Sequence, residues 1–497
     1  MQHYRHGTTS TFHVQVSERI DWLRAQTLDT IVHETIKALR EGEDEDVLWA
    51  AGALTSCYYV KNEAHNLLGF VSHAMIGCED ARSLALGQAR ETRWLLLVQA
   101  LYQVVFDLHD PCLSPYEMLP ARPYTTGNTT DDIRWLREDV RMGEYLRADA
   151  RAVHLEKVLP RAEFIDLMLD IGLEGIVTDD HTLISPQLCL GMIDDVVGWE
   201  HGWEMLRATL RYNASFHRNF EPYDRAVALA KQYGLWEGAA NEALNLDQIE
   251  PLRQQFHASA PHDRPEVAAC AMAQGGVSPA TVLAAVTLTA ADLYLMAEPV
   301  SHDDFDAVSR EVAPIHIGTS TNAMRKILPQ MSPRTQVLAA IQGGSLLERG
   351  PSVLDATFHF IPFEVRPPYP YAEDVARLRG MMPDALLNRL REALFAHDYN
   401  TSTAAVRAYA DQTADPEALI ALLTEVACTD DGTLLHNFKH LYAMVMEFRA
   451  SNHPDRWQYL IAAARWIAWY AGKNTRAHGL ALAAMEIGDS LLQPDVA

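Results

Sequence analysis

The sequence predicts an all-α protein, folded as a single large and irregular multi-helix domain with few or no strands. Apolar residues recur three and four positions apart through much of the 497-residue chain, which is the helical period. Hydrophobic residues make up 48% and charged residues 22%, as in an ordinary globular protein. No linker rich in Gly, Ser or Pro divides the chain. We therefore expect one helical domain over residues 15–490, and a two-lobed form with a seam near 240–280 is the alternative.

The helical period is clearest in five segments: Ile20–Leu39, Glu91–Leu108, Ala162–Leu173, Ala280–Met296 and Arg456–Tyr470. The best strand candidate is Ala356–Val365, where the alternation is brief and Pro362 interrupts it. Clusters of Pro, Thr and Gly predict long loops or turns at Pro111–Pro123 with Thr125–Thr130, at Gly343–Pro351 and at Pro362–Tyr371.

Charge and composition exclude several classes of function. The formal net charge is −25, which repels phosphate backbones and anionic membrane surfaces, so we expect neither nucleic acid nor membrane as a partner. The N-terminal segment has no apolar run typical of a signal peptide, and a cytoplasmic location is expected. The six cysteines form no close pair, which disfavours a disulfide framework or a thiolate metal site. Hydrolase and phosphate-loop motifs are absent from the sequence.

Twenty-one histidines make this side chain the place to look for chemistry. Most lie beside charges, prolines or chain breaks and suit surface or capping roles. The segment Asp430–Glu447 differs, because capping residues precede a long apolar helical run. His436, Lys439 and His440 share one face of that helix.

Two interpretations of this face remain open. One is a solvated stripe that includes Glu447. The other is a metal site in an apolar interior, where a helix N-terminus favours neutral imidazole. Burial would also lower the pKa of a lysine such as Lys439. An uncharged lysine amine can capture carbon dioxide, and the resulting carbamate would be an anionic oxygen ligand.

Three further histidines lie at the start of apolar helical patterns. His65 opens HNLLGFVSHAMIG, with His73 eight residues later; His181 follows Asp179 and Asp180; His316 follows Pro314. Each alone is more typical of a hydrogen-bonded core histidine than of a ligand. Their wide separations are compatible with four helices that converge from different parts of the fold.

These segments resemble the questin oxidase-like family. HNFKHLYAMVMEF is similar to its His-x-x-Lys helix, HIGTSTNAM to its histidine segment with a Thr-Ser step, and AHNLLGFVSHAMIG and DHTLISPQLCLGMIDDVVGWEH to its N-terminal and middle histidine segments. The resemblance covers about residues 60–450 through short motifs. It implies an all-α cytosolic oxygenase that oxidises or opens the ring of a polycyclic aromatic polyketide with dioxygen.

One branch of that family holds a non-haem iron with four histidines and a carboxylated lysine. Carried over to this chain, the Fe(II) ligands would be His65, His181, His316, His436 and Lys439. His73 and His440 are the substitutes, since Gly69 and a second histidine depart from the family's plainer N-terminal helix. The resemblance implies a small aromatic substrate and O2 as partners. It leaves open NADPH as the reductant and the oligomeric state, and no dinucleotide-binding fingerprint appears in the sequence.

Two other classes compete with this reading. Paired aspartates, as in isoprenoid synthases, could bind magnesium and pyrophosphate. The candidates are Asp131–Asp132, Asp194–Asp195 with Glu200, and Asp303–Asp304 with Asp306. The non-enzymatic alternative is a helical scaffold or binding protein with its histidines dispersed. Aromatics near the candidate ligands would line a pocket or simply pack in the core, namely Phe70, Trp199, Trp203 and Tyr442.

Overall fold

Helices form almost all of the regular structure in the computed structural model. It describes residues 10–62, 73–215, 218–236, 244–297, 307–350, 352–354, 360–362, 366–412 and 415–486, with backbone only for 307–313, 352–354 and 360–362. Twenty-three α-helices and two short strands lie in these ranges. The prediction of an all-α fold with few strands is confirmed. The chain packs as two units, one of Met1–Tyr223 with Pro329–Thr335, the other of Asp224–Leu328 with Gln336–Ala497.

Unit 1 holds the first ten helices, each with a buried apolar stripe or core. Their bounds are α1 Thr11–Arg24, α2 Ile31–Arg40, α3 Glu45–Tyr59, α4 His73–Ala85, α5 Arg90–His109, α6 Thr129–Arg141, α7 Tyr145–Val158, α8 Arg161–Gly175, α9 His181–Met192 and α10 Trp199–Ser215. A π-helix, Ile193–Val197, joins α9 to α10. The unit boundary falls in the first turn of α11, Glu221–Gln232.

Unit 2 contains the remaining helices. They are α12 Ile249–Ala258, α13 Arg264–Gly275, α14 Pro279–Met296, α15 Ala307–Ile327, α16 Pro333–Leu346, α17 Ala372–Leu378, α18 Pro383–Phe395, α19 Tyr399–Ala410, α20 Pro416–Ala427, α21 His436–Ala450, α22 Trp457–Tyr470 and α23 Arg476–Ala484. The first residues of α16 belong to unit 1. Strands β1 Ser352–Leu354 and β2 Phe360–Pro362 pair antiparallel, with Val353 opposite Ile361.

One described helix, α14, is long and apolar enough to cross a membrane, with a mean hydropathy of 1.4. Its sequence carries one aspartate, Asp292, among alanines, leucines and threonines. Within the protein 89% of it is buried, against α12, α15 and α22 among others. That burial is typical of a core helix.

Three local predictions were wrong. Ile20–Leu39 is not one helix, because residues 25–30 separate α1 from α2 and Thr30 bonds to Gln26 and Thr27 there. Gly343 and Gly344 lie inside α16 rather than in a turn. Their missing side chains allow close packing, since a Cβ at Gly344 would lie 2.7 Å from the carbonyl oxygen of Arg264. Finally, α15 begins at Ala307, so His316 lies inside it and Pro314 is an internal proline.

Candidate functional site

A first pair of histidines lies at the starts of two helices of unit 1. His73 is the first residue of α4 and His181 is the first residue of α9. Their Nε2 atoms are 3.1 Å apart, and the rings meet edge to face with centroids 4.9 Å apart. His73 is 6% exposed. The two helices thus bring two imidazole nitrogens to one largely buried point.

Close packing further along the same helices fixes their register. Glu79 of α4 is fully buried and contacts Gly191 of α9, where a Cβ would lie 2.6 Å from its Oε1 atom. From the contact of His73 with His181 to that of Glu79 with Gly191, the residue numbers increase in both helices, so α4 and α9 run in the same direction where they pack. Only glycine leaves room for this approach. The register that pairs the histidines therefore depends on a residue ten positions from His181.

Asp179 supports the ring of His181 from behind. Its Oδ1 atom lies 3.5 Å from Nδ1 of His181, and its Oδ2 atom accepts hydrogen bonds from Tyr212 Oη at 2.6 Å and Arg218 Nη2 at 2.8 Å. Burial raises the pKa of Asp179, but Arg218, His181 and Tyr212 together outweigh it and hold the pKa well below its ordinary value. An ionised carboxylate here keeps the His181 proton on Nδ1, which leaves the lone pair on Nε2.

The spacing of the two Nε2 atoms suits two arrangements. At 3.1 Å they can share one proton in an N–H···N hydrogen bond, or direct two lone pairs at one cation. Two nitrogens each about 2.1 Å from one ion and at right angles to each other would be about 3.0 Å apart. A carboxylate behind a histidine is also the common arrangement around metal-bound imidazole. The pair therefore fits two adjacent ligands of one metal ion.

A second pair of histidines lies in unit 2. The rings of His316 in α15 and His436 in α21 meet edge to face, with centroids 5.0 Å apart, and they are 4% and 5% exposed. Glu447 of α21 holds the two helices together further along, since it accepts hydrogen bonds from Asn322 at 2.8 Å and from Arg325. Met444 also packs against Gly318. These contacts between α15 and α21 thus keep the two buried rings next to each other.

The turn before α21 sets the tautomer of His436. Its Nδ1 atom lies 2.7 Å from the carbonyl oxygen of Thr433, and because a carbonyl only accepts, Nδ1 must carry the proton. Nε2 is then the atom with the lone pair. Leu434 and Leu435 both have left-handed φ angles, 52° and 63°, a conformation that costs about 1–2 kcal/mol for each non-glycine residue. Such strain occurs most often at functional sites.

Lys439 and His440 follow on the same helix. Lys439 is 2% exposed, His440 is 1% exposed and Glu447 is 2% exposed. The interpretation as a solvated stripe is therefore wrong, and this face of α21 is interior. A lysine so deeply buried is what the carbamate hypothesis requires.

His440 has different surroundings from His436. Its ring packs edge to face on Tyr294 and Trp466, with centroids 5.4 and 6.3 Å away. Burial lowers the pKa of His440 to about 3, so the ring is neutral at physiological pH. Trp466 in turn donates a hydrogen bond to the carbonyl oxygen of His436 at 3.2 Å, which fixes the first turn of α21 against α22.

The structure thus brings the predicted histidines together in two pairs, His73 with His181 and His316 with His436. His65 and Phe70 lie outside the described residues. Of the other aromatics proposed as pocket walls, Trp199 packs on Phe164 and donates to Glu156. Sequence reasoning missed the supporting roles of Asp179 and Thr433. The Asp-x-His spacing was an available sequence signal for the role of Asp179, and the sequence contains no comparable signal for the role of Thr433.

The aspartate pairs considered for magnesium have other roles where they are described. Asp132 is fully buried and pairs with Arg151 at 2.9 Å. Asp194 and Asp195 lie in the π-helix, and Asp195 pairs with Arg82 at 3.1 Å. Asp303, Asp304 and Asp306 lie outside the described residues.

Comparison with known proteins does not assign the chain to a family. No protein-family model matches the chain, and no curated protein or solved structure is significantly similar to it.

Proposed function

We propose that the chain is a non-haem iron-dependent oxygenase of the questin oxidase type. The observation that carries the proposal is the first histidine pair, whose Nε2 atoms lie 3.1 Å apart with an ionised carboxylate behind His181. A carboxylate behind the imidazole is the arrangement that usually supports a metal-bound histidine. His73 takes the place of the N-terminal ligand in this proposal, and His65 is kept as the residue to test beside it.

His316, His436 and Lys439 complete the proposed ligand set. The Nδ1–H of His436 bonds to Thr433, so its Nε2 is in the form that binds a metal. Four neutral imidazoles and one carbamate oxygen would suit ferrous iron among the common metals. Bound ferrous iron would supply the electron that dioxygen needs for activation. The protein's own residues hold the ligands, fix their tautomers and exclude water through burial.

The substrate class follows from the same resemblance. We infer a small polycyclic aromatic molecule, such as an anthraquinone, that is oxidised or ring-opened with O2. NADPH is the reductant to test first. Cytoplasmic location belongs to the same proposal.

Metal analysis tests the proposal directly. Protein expressed with iron, or reconstituted anaerobically with Fe(II), should hold about one iron per chain. His181→Ala and His436→Ala should each remove most of it, because ligands from both pairs are required. His478→Ala is the matched control, since His478 is also a buried histidine, 3% exposed, and lies in neither pair.

The other classes predict different results. Trace metal only in the wild-type protein supports the helical scaffold and contradicts the oxygenase. Two irons per chain, each lost with one histidine pair, would contradict a shared ligand set. Magnesium-dependent release of pyrophosphate from prenyl diphosphates would support a synthase. Oxygen consumption with an anthraquinone, absent from His181→Ala and retained by His478→Ala, supports the proposed chemistry.

A further inference from the structure

The turn between α20 and α21 is held by an unusual set of hydrogen bonds around Asp430. Asp430 is fully buried. Its Oδ2 atom accepts from the backbone N–H of Thr433 at 3.1 Å, and its Oδ1 atom accepts from the side chain of Asn474 at 3.2 Å. Its own carbonyl oxygen accepts from the side chain of Asn437 at 2.9 Å. Asp430 is thus hydrogen-bonded to the turn at Thr433, to α21 at Asn437 and to the segment between α22 and α23 at Asn474.

Thr433 is the next link in this chain of contacts. Its N–H bonds to Asp430, its Oγ1 atom accepts from the backbone N–H of Asn437 at 3.2 Å, and its carbonyl oxygen accepts from both the backbone and the ring of His436, at 3.0 and 2.7 Å. All three polar groups of Thr433 are therefore fixed. Because the N–H and Oγ1 of Thr433 are both hydrogen-bonded, these contacts also set the direction in which its carbonyl points.

The strain of the turn explains why such holding is needed. Leu434 and Leu435 adopt left-handed conformations in succession, which persist in non-glycine residues only where the surroundings impose them. Without the Asp430 carboxylate, these two residues would relax toward ordinary conformations. Thr433 would then turn its carbonyl away from the ring of His436.

We propose that Asp430 is a positioning residue, which holds the Thr433 carbonyl against Nδ1 of His436 and so commits the ring to presenting Nε2 as its metal-binding atom. The tautomer belongs to the metal-free protein and does not depend on the proposed function. The expected effect on iron binding rests on that function. The tautomer of His436 and the affinity for Fe(II) are therefore measured separately.

The first measurement is the tautomer of His436 in metal-free protein labelled with 15N-histidine. Comparison with His436→Ala assigns the His436 signals, which in the wild type should show a protonated Nδ1 and an unprotonated Nε2 at pH 8. In Asp430→Ala the His436 signals should show a mixture of tautomers or the reversed one. Asp430→Asn keeps the size and one of the two acceptors, so it should lose a smaller share of the Nδ1–H form than Asp430→Ala but still differ measurably from the wild type.

Asp431→Asn is the matched control. Asp431 is the neighbouring carboxylate in the same turn, but its Oδ2 atom accepts from the backbone N–H of Ala477 at 2.5 Å in α23 and does not bond to Thr433. It should leave the His436 tautomer unchanged. Circular dichroism and thermal unfolding identify variants that have lost their fold, and Asp430→Asn carries the test if Asp430→Ala is one of them.

The second measurement is the Kd for Fe(II) under anaerobic conditions. Removing a residue that orients a metal-bound histidine typically costs about 10- to 100-fold in affinity, and we expect that range for Asp430→Ala. A folded Asp430→Ala or Asp430→Asn with the wild-type tautomer would overturn the inference, whatever the protein binds. A changed tautomer in a protein that never binds iron would support the inference and contradict the proposed function.

Discussion

The carboxylate of Asp179 and the ring of His181 form a directed unit, with Oδ1 of Asp179 3.5 Å from Nδ1 and His73 3.1 Å from Nε2 on the opposite side of the ring. The two residues are separated by one position in sequence, and the backbone N–H of His181 also bonds to Asp179 at 3.1 Å. The start of α9 is therefore both capped and oriented by the same carboxylate.

Asp179→Asn should weaken Fe(II) binding about 10- to 100-fold, because a neutral amide is a weaker acceptor than the carboxylate and holds the proton of His181 on Nδ1 less firmly. Tyr212→Phe should have a smaller effect, since it removes one hydrogen bond to Asp179 and leaves Arg218 in place. Metal titration of the three proteins measures the order. Equal affinities would contradict an orienting role for Asp179.

The same variant predicts a change in acid stability. A folded-state pKa held below the ordinary value contributes stability that is present above the unfolded pKa, about 3.9, and is lost as the pH falls through that range toward the folded pKa. Asp179→Asn should therefore be less stable than the wild type at pH 7 and lose less stability on acidification. Urea unfolding at pH 7, 4 and 3 measures both slopes.

Lys439 should carry a carbamate in the iron-bound protein. Incubation with 13C-bicarbonate should give a carbamate carbon signal that disappears in Lys439→Ala, together with most of the iron. Lys473→Ala is the control, because Lys473 is partly exposed and covers the ring of Trp469 at 3.9 Å. An unchanged metal content in Lys439→Ala would remove Lys439 from the ligand set.

Two glycines should respond differently to substitution by alanine. At Gly191 a new Cβ would lie 2.6 Å from the buried carboxylate of Glu79, whereas at Gly318 it would lie 3.1 Å from the flexible end of Met444. Gly191→Ala should lower the free energy of unfolding by about 1–3 kcal/mol and reduce iron content by shifting α4 against α9. Gly318→Ala should change both much less. Denaturant midpoints and metal analysis provide the comparison.

Asp430 predicts a stability change of the opposite sign from that of Asp179. Burial raises the pKa of Asp430 from 3.8 to about 6, with Asp431 adding to it and Thr433, Asn474 and Gly432 opposing it; Tyr470 is a further titratable neighbour. The folded state then holds the proton more tightly, so stability falls as the pH rises from about 4 to 6 and is level above that. About two pKa units correspond to about 3 kcal/mol. Asp430→Asn should abolish this slope in urea unfolding, and an identical slope would contradict it.

Periodicity predicted the helices well where burial alone decides them. Glu91–Leu108 and Ala280–Met296 correspond closely to α5 and α14, since long segments with apolar residues at helical spacing can be buried as helices whichever neighbours they pack against. Sequence patterns were misleading where tertiary packing overrides the local preference of glycine for turns. The glycines at 343 and 344 read as a turn, yet the backbone of Arg264 and the side chain of Leu283 need their empty space inside α16.

The candidate site was predictable in its residue types and not in its geometry. Apolar patterns that begin at His181 and His436 indicated helix starts, and both are first residues of helices. Which histidine pairs with which depends on contacts between residues about a hundred positions apart. The left-handed pair Leu434–Leu435 has no sequence signal either, because leucine rarely adopts that conformation.

The short segment Pro329–Thr335 packs with unit 1 although the chain on both sides of it belongs to unit 2. Within unit 1 the backbone N–H of Ser332 bonds to Asp166 of α8 at 2.8 Å. A single cut after Tyr223 therefore does not separate the two units cleanly: the first fragment loses seven residues that pack with it, and the second keeps those residues, including the start of α16, without their packing partners. Residues 1–223 expressed alone should therefore have a lower free energy of unfolding than the same residues expressed with a peptide of residues 329–335, as urea unfolding measures.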